Sequence, residues 1–150
     1  MSLEHEALTE RIIGGAIEVH RRLGPGFLEK VYENALVHRL RKLGLSVQQQ
    51  HPINVYDEDG TPIGEYYADL VLDGRLIIEL KAAREIADEH VAQILGYLKS
   101  CRLEHGLLIN FGSHKFQIKK YILNELRGRS RTTNLASILW FAVAGFVFFR

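Results

Sequence analysis

The segment Tyr66–Lys81 constrains this 150-residue chain more than any other. It runs Tyr-Tyr-Ala-Asp-Leu-Val-Leu, then Asp73-Gly74-Arg75, then Leu-Ile-Ile-Glu-Leu-Lys. Two apolar runs around a turn signal predict a β-hairpin. Side chains alternate faces along a strand, so the register decides what is buried. A two-residue turn at Asp73-Gly74 pairs Asp69 with Ile78 and sends Glu79 to the opposite face. A three-residue turn, Asp73-Gly74-Arg75, pairs Leu72 with Leu76 and sets Asp69 opposite Glu79. The second register is preferred, because it gathers Ala68, Leu70, Leu72, Leu76, Ile78 and Leu80 into one apolar face. The other face then carries Asp69, Glu79 and Lys81 together.

Charges placed on a sheet flanked by apolar residues need a partner. A divalent cation satisfies two carboxylates, and magnesium in particular takes few of them, keeps waters and accepts phosphate oxygens. A lysine beside it can position or help deprotonate an attacking water. The same three residues also read as an ordinary lysine–carboxylate pair on a half-exposed sheet. The spacing D-x(9)-E-x-K does not choose between these.

The rest of the chain predicts an α/β domain with an antiparallel meander. Leu8, Ile12, Ala16, Val19 and Leu23 recur at helical spacing over Glu4–Leu23. Gly24-Pro25-Gly26 must break that helix. A second helix follows, with the stripe Leu28, Val31, Tyr32, Ala35, Leu36, Leu40 and Leu43, and Gly44 at the C-terminal cap position. Strands are expected at Ser46–Tyr56, Ile63–Leu72 and Arg75–Ala82. A third helix is expected at Asp88–Arg102, then strands at Gly106–Phe111 and Lys115–Ile122. In the first turn of helix two Glu29 suits the helix dipole, and it also borders the buried stripe. In the third helix His90, Gln93 and Tyr97 share a face, which serves equally as the polar flank of a packed helix.

In this order the motifs resemble the small GxxExxY proteins of the PD-(D/E)xK nuclease-like superfamily, over about Glu10 to Ile122. The naming motif stands as Gly26-Phe27-Leu28-Glu29-Lys30-Val31-Tyr32, framed by Glu18-Val19-His20 and Leu23-Gly24-Pro25-Gly26. The superfamily core stands as Asp69, then Glu79-Leu80-Lys81, then Gln93-Ile94-Leu95-Gly96-Tyr97. Gly106–Phe111 resembles the closing strand. The resemblance implies a restriction-endonuclease-like αβββαβ core with an extra N-terminal helix. It implies that Glu29, Asp69 and Glu79 surround Mg2+ (or Mn2+), that Lys81 is the catalytic lysine, and that Gln93 and Tyr97 steady the site or a nucleic-acid backbone.

The leading expectation is therefore a metal-dependent nuclease acting on DNA or RNA. Its rival is a catalytically silent nuclease-fold subunit of a larger complex, which would be expected to have lost Asp69, Glu79 or Lys81. Charge is segregated: Asp57–Glu89 holds ten acidic and three basic residues, and Lys99–Arg131 eight basic and two acidic. Such blocks are either solvated surface or a cation site beside a polyanion surface, with Lys115, Lys119 and Lys120 as phosphate contacts. No P-loop, nucleophile elbow or H-E-x-x-H pair is present. The single cysteine, Cys101, excludes an internal disulfide, and Met1–Arg11 lacks the apolar run of a secretory leader, so a cytoplasmic setting is expected.

Residues 1–126 are expected to form the nuclease-like domain and 127–150 a basic linker and hydrophobic tail. Leu135–Phe149 carries no charge, and its fifteen residues include Trp140 and four phenylalanines. It reads as a membrane or partner anchor, as a packed terminal helix, or as a segment without a role. As a helix rising ~1.5 Å per residue it reaches about 22 Å, short of a ~30 Å hydrocarbon core. A protein cover, from its own domain or from a second subunit, is therefore expected over membrane contact. Truncation after Arg131 should leave folding and metal binding intact while changing oligomeric state or solubility, as read by sedimentation and thermal melting. An unchanged profile would show that the tail is neither interface nor core.

Overall fold

Hydrophobic period sets the layers. In the computed structural model, residues 3–123 are described, together with the backbone of Phe141 and Ala142. The order is α1 (Leu3–Leu23), α2 (Glu29–Lys42), β1 (Val47–Tyr56), β2 (Pro62–Leu72), β3 (Leu76–Lys81), α3 (Asp88–Cys101), β4 (His105–Asn110), β5 (Gln117–Ile122) and the two-residue β6 (Phe141–Ala142). The strands form one sheet in sequence order. β1, β2 and β3 are an antiparallel meander, β4 runs parallel to β3 after the crossover through α3, and β5 returns antiparallel.

Helices cover both faces. On one, Leu8, Ile12, Ala16 and Val19 of α1 and Tyr32, Leu36, Val37 and Leu40 of α2 pack on Leu70, Leu72, Leu76, Ile78, Leu80, Leu107 and Ile109. On the other, Ile94, Tyr97 and Leu98 of α3 pack on Val71, Ile77, Leu108 and Tyr121. β3 and β4, covered on both sides, are therefore buried almost without interruption instead of at alternate positions, their polar Glu79, His105 and Asn110 included. Among the described residues no helix is long and apolar enough to cross a membrane.

Two expectations need correction. The buried stripe of α2 is rotated from the predicted one. Leu28, Val31 and Leu43 are exposed, while Glu33 and Val37 are buried beside Tyr32, Leu36 and Leu40. Leu28 is extended and precedes the helix, so helical spacing cannot be counted from it. Ala68, in turn, does not share the face of Leu70; it packs with the α3 cluster. The domain boundary near residue 126 and the expectations for 135–149 lie outside the described residues, apart from Phe141–Ala142, whose backbone pairs with Lys119 and Lys120 as a strand.

The β3–α3 connection is pinned by close approach. A Cβ built on Gly112 would stand 2.4 Å from the Ala82 carbonyl carbon and the Ala83 nitrogen, where only backbone can give way. Gly112→Ala should destabilise the domain by about 1–3 kcal/mol, the range of an overpacked core. Urea unfolding with an unchanged m-value would measure it.

Candidate active site

The three-residue turn is present: Leu72 pairs with Leu76, Val71 with Ile77 and Leu70 with Ile78. The backbone ladder stops there. At the next position Glu79 Oε1 accepts the Asp69 N–H at 3.0 Å, and Asp69 Oδ2 accepts the Leu80 N–H at 2.8 Å. Each carboxylate thus takes an amide that the separating strands leave unpaired.

β1 is irregular at the same level. Gln50 stands opposite Asp69 with φ +50°, while Gln49–Leu70 and His51–Ala68 keep the register on either side. Alternation inverts across this point in both strands. Val47 and Leu70 face α1 and α2, whereas Ile53 and Ala68 face α3. The outer β1–β2 ribbon therefore turns away from β3 at the position where the two carboxylates meet.

Glu29 arrives from α2 through the glycine loop. Gly24 and Gly26 both take positive φ, +65° and +117°, which admits a sharp entry into the helix. Tyr32 locks that entry: its hydroxyl donates to the Gly24 carbonyl at 2.6 Å and accepts the Phe27 N–H at 3.1 Å. Its ring stacks on Phe111 with centroids 5.0 Å apart. Glu29 is then the first residue of α2. Partial burial, followed by the negative charge of Asp69, raises its carboxyl above the ordinary range, and Lys81 opposes the rise.

One turn on, Glu33 is buried and accepts from the Lys30 ammonium, from Gln49 at 3.0 Å and from Gln50 at 2.5 Å. The Gln50 amide also reaches Asp69 Oδ1 at 3.4 Å. Glu33 and Gln50 went unmarked in the sequence. The i, i+4 spacing from Glu29 is the sequence signal for Glu33, and the rotation of the buried α2 stripe obscures it.

Lys81 projects toward α3. Its Nζ donates to Gln93 Oε1 at 2.9 Å, and Gln93 Nε2 donates to the Tyr97 hydroxyl at 3.0 Å. Asn110, beside Lys81 in the parallel pair, is fully buried. It accepts the Ala83 and Gly112 N–H groups at 2.9 and 3.1 Å and donates to the Ala83 carbonyl at 2.9 Å and to Gln117 at 2.8 Å. This clamp sets the β3–α3 connection, and with it the rotation that brings Gln93 to Lys81. A lone asparagine at a strand end carried no such message in the sequence.

Six predicted residues thus gather around one seam, with Glu29, Asp69 and Glu79 in one electrostatic group and Lys81, Gln93 and Tyr97 in one hydrogen-bonded chain. The three lysines behave differently. Lys115 is exposed and Lys119 half-buried, but Lys120 is buried with Nζ 3.5 Å from Thr9 of α1. Strand alternation sends Lys119 and Lys120 to opposite faces, so they do not form one phosphate-binding surface.

Glu79 is the most perturbed acid of the site. Burial, then the charge of Asp69, pushes its carboxyl up to about 9. Burial also raises Asp69, against the opposing hydrogen bond from Leu80. Two desolvated carboxylates side by side suit a hard divalent cation, whose charge replaces the proton that Glu79 otherwise keeps. Among the described residues no group of three or more His, Cys, Asp or Glu side chains is placed so as to hold a metal ion.

A family model described as the PD-(D/E)XK nuclease superfamily matches residues 6–121. No curated protein sequence matches the chain. Among solved structures, the crystal structure of SSO0001 is similar at 17% identity and a TM-score of 0.49. The match covers 61% of this chain and 48% of that one, so the chain spans about half its length.

The raised Glu79 carboxyl links stability to pH. Between about 4.5 and about 9 the folded chain keeps a proton that the unfolded chain releases, so stability falls as pH rises through that window. The slope contributed by this group is at most ~1.4 kcal/mol per pH unit. Glu79→Gln keeps the amide acceptor without the titration. Its melting temperature should exceed wild type by a margin that widens from pH 5 to pH 8. A constant margin across that range would contradict the assignment.

Proposed function

From the premise that this chain belongs to the PD-(D/E)XK nuclease superfamily, we propose that it is a metal-dependent nuclease hydrolysing phosphodiester bonds of DNA or RNA. The observation that carries this reading is the pairing of Asp69 and Glu79 in the strand seam, with Lys81 held beside them by Gln93. The Gly26–Tyr32 segment supports membership of the GxxExxY group, because its glycine, glutamate and tyrosine respectively turn the chain, face the seam and lock the loop.

Asp69 and Glu79, with Glu29 across from them, would hold Mg2+ or Mn2+. Bound there, the ion would neutralise phosphate charge and lower the pKa of water. The protein's own groups do the rest. Lys81, oriented by Gln93 and through it by Tyr97, would offer its ammonium to an attacking water or a phosphate oxygen. Glu33 and Gln50 hold Asp69 from the α2 side. Glu29, at the solvent-facing start of α2, would complete the acidic set from that helix.

Cleavage should require Mg2+ or Mn2+ and be abolished by chelation, assayed on single- and double-stranded DNA and RNA. Lys81→Ala should lower the rate by about 10²–10⁴-fold while metal binding, followed by calorimetry, persists. Asp69→Asn should lose both. Wild-type protein that binds metal yet cleaves none of these substrates would leave the silent assembly subunit as the better reading.

A further inference from the structure

Beside the seam lies a cleft of about 300 Å³, lined by Tyr66, Ala92, Gln93, Gly96, Tyr97 and Ser100. One wall is the ring of Tyr66, which leans on Tyr97 with centroids 5.7 Å apart and planes tilted by 42°. The two tyrosines differ in what they offer. Tyr97 is buried, with its hydroxyl engaged by Gln93, whereas Tyr66 is 52% exposed. An aromatic ring left half in water on a β-strand presents an unused face. The opposite wall is the exposed backbone of α3 at Ala92 and Gly96. A Cβ built on Gly96 meets nothing within 4 Å, so this wall is open rather than packed.

The cleft is continuous with the catalytic groups. Gln93 belongs to both: it lines the cleft and accepts the Lys81 ammonium at 2.9 Å. Tyr66 lies three residues before Asp69 on the same strand. Helical spacing places Lys99 on the same face of α3 as Ala92 and Gly96, next in sequence to the lining residue Ser100. The arrangement is an aromatic ring beside an unobstructed helix face, with the Lys81 ammonium held by the lining residue Gln93. That chemistry fits a planar base next to a phosphate. Bases stack on aromatic side chains whatever their identity, and a base is available to do so where it is unpaired.

We propose that this cleft receives one unpaired nucleobase next to the scissile phosphate, stacked on Tyr66, and that it directs the enzyme to single-stranded nucleic acid or to unpaired segments. The inference rests on the nuclease reading above and adds the substrate class to it. A base still within a duplex is stacked on both sides and cannot enter without being extruded, which raises the cost of binding a continuous duplex.

The test uses the full chain and short oligonucleotides carrying 2-aminopurine, as single strands of DNA, single strands of RNA, and blunt DNA duplex. Binding is read by anisotropy and 2-aminopurine emission with Ca2+ present, and cleavage with Mn2+. Wild type should favour the single strands, with a change in 2-aminopurine emission that reports stacking. Tyr66→Ala should weaken single-strand binding about ten-fold and abolish the emission change, while Tyr66→Phe, which keeps the ring, should match wild type. Gly96→Leu should act like Tyr66→Ala by filling the cleft from the helix side, and its open surroundings let it fold. Undiminished single-strand affinity in both Tyr66→Ala and Gly96→Leu, or a wild-type preference for duplex, would overturn the cleft proposal while leaving the nuclease reading intact. A wild type that neither binds nor cleaves any of these substrates would overturn the nuclease reading, and the cleft with it.

Discussion

Everything near the seam depends on one exchange: Asp69 and Glu79 take backbone amides across the gap where β2 leaves β3. A sheet that opens must dispose of the N–H groups it no longer pairs, and buried donors without acceptors are costly. Here the acceptors are carboxylates. The hydrogen bonds hold the strands at a fixed separation and aim the acid groups, so the geometry of the site is a consequence of sheet construction. The cost is carried by Glu79, whose carboxyl burial raises to about 9.

The surrounding elements serve to keep this opening in place. On the α2 side, Tyr32 ties the glycine loop to Phe111 and so delivers Glu29 at the helix start, while Glu33 and Gln50 brace Asp69. Toward α3, Asn110 clamps the connection that follows β3, and Gln93 reaches Lys81. The two sides are joined through α1, whose His20 Nε2 donates to the Ser113 carbonyl at 2.7 Å in the loop after β4. The site is thus gripped from both helix layers. This suits chemistry that needs charged groups held in position more than it needs a moving lid.

Much of this is legible in the sequence. The hairpin register followed from binary pattern alone, because a slip of one residue would have scrambled the apolar face. The first-turn position of Glu29 and the shared face of Gln93 and Tyr97 followed from helical spacing. Glu33, Gln50 and Asn110 were not legible, since each acts through a partner distant in sequence. Gln50 takes a positive φ that its residue type does not announce. Lys120 shows the reverse failure: a lysine in a basic stretch reads as surface, yet strand alternation turns it under α1.

Local pattern by itself determined the element order, the three-residue turn and the set Asp69, Glu79 and Lys81 on one hairpin. Those features depend on period, turn chemistry and near neighbours, which are written along the chain. Tertiary structure alone decided that the alternation of β1 and β2 inverts at Gln50 and Asp69, that Glu33 is buried behind them, and that α3 is turned to lay Gln93 on Lys81. These depend on which unpaired amide finds which acceptor once the layers close, and that choice exists only in three dimensions.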